Sequence, residues 1–193
     1  MFARFAIITL LLIPITPQAQ TFGDGVAAYS LGRYDRAIEI WQSLATDNAD
    51  AQYRLGDLYE RGVGVTRDFE TAADWYRKAA ANAHAGAQFA LAELYQDGRG
   101  VDKSPEAAWL WYQQAAETGS ARAQYHVANV YMTGKGVERD LVQAYVWFTR
   151  AAQNFGPSPE GSFARTAMQS ISAVLQADEQ KLATQMLSAK VIK

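Results

Sequence analysis

Residues 51–65 read AQYRLGDLYERGVGV, and closely related runs return at 87–101 and 123–137. A second run, AADWYRKAA at 72–80, also returns twice at the same interval of 36 residues. No insertion or deletion interrupts the three copies. A fixed period of this length is typical of proteins built from stacked structural repeats.

Each repeat is predicted to contain two helices. Leu55, Leu58 and Tyr59 fall at helical spacing in the first run, and the apolar residues of the second run do the same. Between the runs, Gly62 can adopt the positive φ that ends a helix, and Asp68 can cap the next one. Start signals recur in the other copies, as Ser104 followed by Pro105 and as Asp140 followed by Gln143.

These runs, with Asp68 between them, resemble the Sel-one-like repeat, a branch of the tetratricopeptide repeat superfamily. The resemblance covers residues 51–156 as three repeats, placed at 51–86, 87–122 and 123–156. It implies an all-α fold, a right-handed superhelical α-solenoid of helix-turn-helix repeats with helical caps.

The flanking segments are predicted to cap the two ends of the solenoid. Residues 20–50 resemble a shorter unit of the tetratricopeptide kind, and residues 157–193 contain two further helical patterns. Terminal units of a solenoid differ from internal ones because they face solvent on one side. We expect apolar residues of the C-terminal segment, among them Phe163 and Val174, to cover the last repeat.

The first 19 residues have the pattern of a secretory signal peptide. Arg4 precedes an apolar run over 5–13 that Pro14 ends. The run is well short of the ~20 residues that span a bilayer. We expect cleavage after Ala19 and export to the periplasm or the extracellular space, with no membrane span afterwards. Pro17 stands where a small residue is preferred, so an uncleaved, membrane-tethered form is the alternative.

Composition and motifs argue against several classes of function. Lys and Arg total 18 against 20 for Asp and Glu, so there is no positive surplus for binding nucleic acid. The absence of cysteine excludes thiolate metal sites and thiol nucleophiles. His84 and His126 lack the spacing of a metal-binding helix. No carboxylate pair stands in apolar surroundings, so we predict no catalytic residue, metal ligand or cofactor site.

The partner site is predicted on the concave side, which the first helix of each repeat lines in the solenoid that the resemblance implies. Leu55 and Tyr59 face the core, so the opposite side of that helix faces the groove. The expected groove residues are Tyr53, Asp57, Glu60 and Arg61, then Phe89, Glu93 and Gln96, then Tyr125, Asn129 and Met132.

These residues form an aromatic column beside an acidic one. The pattern favours a partner segment with apolar anchors and basic residues. The competing interpretation is that the aromatic rings only fill space between neighbouring repeats. We assign Trp75, Trp111 and Trp147, on the second helices, to the core.

The sequence therefore predicts an exported scaffold or adaptor that binds a protein partner and is not an enzyme. Two alternatives stay open. One is an enzyme that acts on cell-wall or β-lactam substrates, an activity linked to some repeats of this kind. The other is a membrane-tethered factor for assembly of the cell envelope.

Overall fold

The computed structural model describes residues 20–189, which form ten α-helices and no β-strand. The helices are α1 (Phe22–Ser30), α2 (Tyr34–Leu44), α3 (Ala49–Arg61), α4 (Phe69–Ala81), α5 (Ala85–Asp97), α6 (Pro105–Thr118), α7 (Ala121–Thr133), α8 (Leu141–Phe155), α9 (Pro159–Ser172) and α10 (Ala177–Ala189). Consecutive helices pack together along an α-solenoid, which confirms the predicted fold class. Repeats 1, 2 and 3 are α3–α4, α5–α6 and α7–α8.

The predicted signal segment, 1–19, lies outside the described residues. Within residues 20–189, no helix combines the length and apolar character needed to cross a membrane.

Local sequence signals set the helix ends. Gly62, Gly98 and Gly134 follow α3, α5 and α7 with φ of 67°, 72° and 70°, as predicted for glycines that end a helix. The Asp68 side chain accepts hydrogen bonds from the backbone N–H groups of residues 70 and 71 at the start of α4. Asp140 does the same for residue 143 at the start of α8. Each repeat therefore carries its own start and stop signals.

The core consists of small alanines, with leucines and valines beside them, around one deep aromatic ring per repeat. Those rings are Tyr76, Tyr112 and Phe148, which are 1%, 3% and 0% exposed. The core assignment of the tryptophans is wrong for Trp75 and Trp111, which are only half-buried, and holds for Trp147. Each tryptophan stands one residue before the deep ring and so lies at the edge of the buried stripe.

Buried glutamines join each first helix to the helix before it. The Nε2 atoms of Gln52, Gln88 and Gln124 donate to backbone carbonyls of residues 45, 80 and 116 over 2.7, 3.3 and 3.0 Å. These carbonyls stand at helix C-termini, where intrahelical partners run out. The glutamine of each Ala-Gln pair therefore fixes one helical pair on the next.

The second polar atom of these glutamines distinguishes repeat 2 from its neighbours. Asn82 donates to Gln52 Oε1 over 3.3 Å, and Asn154 donates to Gln124 Oε1 over 2.9 Å. Thr118 holds the corresponding place in repeat 2 and donates to the Gln114 carbonyl instead. Gln88 Oε1 is consequently buried without a hydrogen-bond partner among residues 20–189.

The C-terminal cap packs through smaller residues than expected. Helix α9 buries Gly161, Ala164 and Ile171, whereas Phe163 is 66% exposed and Val174 is 62% exposed. The prediction is therefore wrong for Phe163 and Val174, but Ile171, Leu175 and Ala183 of the same segment are buried in the core that includes repeat 3, as expected. Phe163 and Val174 lie off the stripe that contacts the rest of the molecule.

Candidate functional site

Three aromatic side chains, one from each first helix, are half-buried. Each ring contacts the deep ring of the following helix and stays partly exposed; the pair is tilted in repeat 1 and edge-to-face in repeats 2 and 3. The centroid distances are 5.7 Å for Tyr53–Tyr76, 5.5 Å for Phe89–Tyr112 and 5.3 Å for Tyr125–Phe148. The column therefore fills space inside each repeat and also presents aromatic surface to solvent.

The first helices share one surface, which we call the groove. Arg122, at the start of α7, lies close enough to Tyr53 of α3 and to Glu93 of α5 for its positive charge to lower the pKa of both. Burial has the larger effect and raises both pKa values above their ordinary range. Side chains from three repeats thus meet in one electrostatic environment.

Most acidic residues at the repeat 1 end of the groove are paired within the chain. The Asp57 carboxylate accepts from Arg61 over 3.1 Å. Glu60 accepts from the Tyr76 hydroxyl over 2.7 Å and from Arg99 over 3.0 Å. Arg61 also donates to the Tyr29 hydroxyl of α1 over 3.4 Å. Glu60 therefore joins α3 to α4 and to the loop after α5, whereas Asp57 is paired within α3.

Glu93 differs from the other groove acids. Its side chain is half-buried and makes no hydrogen bond or ion pair with any described residue. Burial raises its pKa, Glu60 raises it further, and Arg99 and Arg122 oppose the shift from a distance. The spacing of residues along the chain does not predict such surroundings for a carboxylate.

A cavity of about 720 Å³ opens in the groove beside repeats 2 and 3. We call it the groove cavity. Its lining residues are Phe89, Arg122, Tyr125, His126, Asn129, Asn154, Phe155, Ser158, Glu160 and Phe163. Phe89, Tyr125 and Asn129 were expected in the groove. Two other expected residues have structural contacts, since Gln96 accepts from the Tyr112 hydroxyl over 3.2 Å and Met132 packs against the core of repeat 3.

Several lining residues could not be expected from the repeat pattern. Phe155 ends α8, Ser158 lies in the turn that follows, and Phe163 lies in α9. The only sequence signal is the Pro157–Pro159 break, which we interpreted as the end of the repeats. His126 stacks on Tyr112 with ring centroids 3.9 Å apart, and burial lowers the pKa of its imidazole because it disfavours the charged form.

The groove cavity combines aromatic walls with a few polar groups, an arrangement that suits recognition of a ligand by shape. Asn129 Nδ2 donates to the Tyr125 carbonyl over 2.9 Å, which leaves Oδ1 able to accept another bond. Across residues 20–189, no three His, Asp or Glu side chains converge as they would to hold a metal ion.

A sequence model of the Sel1 repeat, the Sel-one-like repeat named above, matches residues 49–84, 85–120 and 121–154. The chain belongs to the Sel1 repeat family. The matched segments begin at the first residues of α3, α5 and α7, two residues before our repeat boundaries. Sel1 repeat proteins generally act as scaffolds for interactions between proteins and are typically not catalytic.

Two solved structures resemble this Sel1 repeat protein. One is a Sel1 repeat protein from Oxalobacter formigenes, at 32% identity and a TM-score of 0.67, covering 77% of this chain and 59% of the other. The second is a protective antigen of uropathogenic Escherichia coli strains with an SLR fold, at 27% identity and a TM-score of 0.53. That match covers 86% of this chain and 45% of the antigen. Comparison with curated proteins finds no match.

Proposed function

We propose that this Sel1 repeat protein is an exported scaffold that holds an extended segment of a partner protein in the groove. The observation that supports the proposal most directly is the groove cavity, which half-exposed aromatic rings line next to free polar groups. Packing already fixes these rings, so little side-chain freedom is lost when a partner docks. Rigid aromatic anchors of this kind dominate many protein interfaces.

Substitution of Phe89 tests the groove. The full chain is used to capture partners from the cell envelope, beside Phe89→Ala and a control, Gln114→Ala, at an exposed position on a second helix. Loss of the Phe89 ring should reduce capture by at least about tenfold, the scale of an interface anchor. The control should retain full capture. Equal capture by all three proteins would contradict binding in the groove.

Export is tested by fractionation and by sequencing of the mature N-terminus. An N-terminus at Gln20 in the soluble envelope fraction is the expected result, in accord with the pattern of residues 1–19. An intact N-terminus in the membrane fraction would favour the tethered assembly factor. Recovery from the cytoplasm alone would contradict export.

A further inference from the structure

We infer that Glu93 determines the charge preference of the groove, and that the partner segment carries a bulky apolar side chain for the groove cavity beside a Lys or Arg that pairs with Glu93. This inference rests on the proposed function and narrows it to one class of partner. It replaces the broader expectation that all acidic groove residues contribute.

The pairing of the other acids singles out Glu93. Asp57 is bound to Arg61, and Glu60 is bound to both Tyr76 and Arg99. A partner would have to displace those bonds before it could use either carboxylate. Glu93 has no such bond to displace among residues 20–189.

The geometry places an apolar and a charged contact side by side. Phe89, in the wall of the groove cavity, and Glu93 stand one turn apart on α5 and therefore on the same face of that helix. An apolar side chain that enters the cavity brings its neighbours along the segment close to Glu93. The apolar anchor and the Lys or Arg should therefore be near neighbours in the partner sequence.

Desolvation makes Glu93 the stronger electrostatic contact. A half-buried carboxylate has already lost part of its hydration, so an incoming cation gains more attraction there than at a solvated acid. Arg122, by contrast, is exposed and hydrated at the rim of the cavity. An acidic partner residue would therefore gain less from Arg122 than a basic one gains from Glu93.

A binding role for Glu93 predicts opposite effects on stability and on affinity. The folded chain holds the Glu93 proton more tightly than the unfolded chain, so Glu93 costs stability as pH rises from its ordinary pKa through its raised one. Above that window, Glu93→Gln should unfold at a higher temperature than the wild type. Below the window the two should converge.

Other titratable or charged groups face Glu93 from every neighbouring element and influence the pH range in which it titrates. They are Glu60 of α3, Asp97 of α5, Arg99 after α5, Tyr112 of α6 and Arg122 of α7. All of them are retained in Glu93→Gln, so the comparison isolates the Glu93 carboxylate.

Selection from a phage-displayed library of random peptides on the full chain provides the probe. We expect enriched peptides to contain an aromatic or large aliphatic residue with Lys or Arg close by. A synthetic enriched peptide and its Lys→Gln derivative are then titrated against the wild type and three variants, Glu93→Gln, Asp57→Asn and Phe89→Ala. Glu93→Gln should weaken binding of the basic peptide about tenfold, the size expected for a partly desolvated charge pair. Binding of the Lys→Gln derivative should not change. Asp57→Asn is the matched control and should change the affinity for neither peptide.

The outcomes separate the inference from the proposed function. Peptides that bind without a basic preference, or equal losses in Glu93→Gln and Asp57→Asn, would overturn the role of Glu93 and leave groove binding intact. Peptides that bind Phe89→Ala as well as the wild type, or a failure to enrich any peptide, would contradict the proposed function itself.

Discussion

Gly56 shows how a single methyl group separates one repeat from the others. A Cβ placed on Gly56 would lie 2.6 Å from two ring carbons of Tyr76. The two other repeats carry Ala92 and Ala128 at this position, and both are fully buried. The Tyr76 hydroxyl donates to Glu60 over 2.7 Å, and the Tyr112 hydroxyl of repeat 2 donates to Gln96 over 3.2 Å beside Ala92, so the close approach of the Tyr76 ring is what sets repeat 1 apart.

Gly56→Ala should therefore destabilise the protein by about 1–3 kcal/mol through overpacking against Tyr76. Helix propensity alone predicts the opposite sign, a gain of about 1 kcal/mol. Urea denaturation measures the difference. Ala92→Gly serves as a control and should lose about 2 kcal/mol, because it loses helix propensity and one buried methyl group. A stabilised Gly56→Ala would show that the Tyr76 ring moves freely.

Neighbouring aromatic residues of α6 should differ in their contribution to stability. Tyr112→Ala removes a ring that is only 3% exposed and should cost about 3–5 kcal/mol. Trp111→Ala removes a half-buried ring and should cost about 1–2 kcal/mol, despite its greater size. Thermal unfolding of both variants checks the order. Equal losses of stability in the two variants would show that Trp111 contributes to the core as much as Tyr112 does.

At the scale of the helices, the hydrogen bond that Gln88 lacks can be supplied by a residue type that the other two repeats already carry. Thr118→Asn places in repeat 2 the amide that Asn82 and Asn154 provide in the other repeats, so it should reach Gln88 Oε1. Satisfying a buried acceptor should raise the free energy of unfolding by about 0.5–1.5 kcal/mol. Thr118→Ala lacks the amide and should give no gain. Identical stability of both variants would refute the repair.

Helices and their ends could be predicted because their signals are local. Gly62, Asp68 and Asp140 act within one turn of their own positions. The glutamine contacts join residues of different helices, and the burial of Glu93 depends on the folded structure. The spacing of apolar residues in the sequence predicts neither feature. The groove cavity was also missed, since Phe163 of α9 and Phe155 of α8 line it from outside the repeat pattern. Of the predicted groove, the aromatic column could be placed from sequence, but the pairing of its acids could not.

For the molecule as a whole, the constant period predicts that a repeat can be removed without loss of the fold. Deletion of 85–120 brings α7 onto α4 and places Gln124 where Gln88 contacts the carbonyl of residue 80. Stability in solenoids is approximately a sum over repeats and their interfaces. The shortened chain should stay helical and unfold cooperatively at a lower temperature.

Circular dichroism during heating measures both properties. The deletion also removes Phe89 and Glu93, so binding of the selected basic peptide should be lost while the helical signal per residue remains. A chain that is unfolded after the deletion would show that the ends need repeat 2 between them.

The missing bond at Gln88 has a mechanical consequence. When a solenoid is pulled from its two ends, its repeats carry the same tension in series, and the most weakly closed one lengthens first. Repeat 2 lacks the asparagine hydrogen bond that joins α3 to the end of α4 in repeat 1 and α7 to the end of α8 in repeat 3. Phe89 and Glu93 lie in that same repeat. The segment with the weakest closure therefore also carries the proposed partner contacts, so tension along the chain should first alter the surface around Phe89 and Glu93.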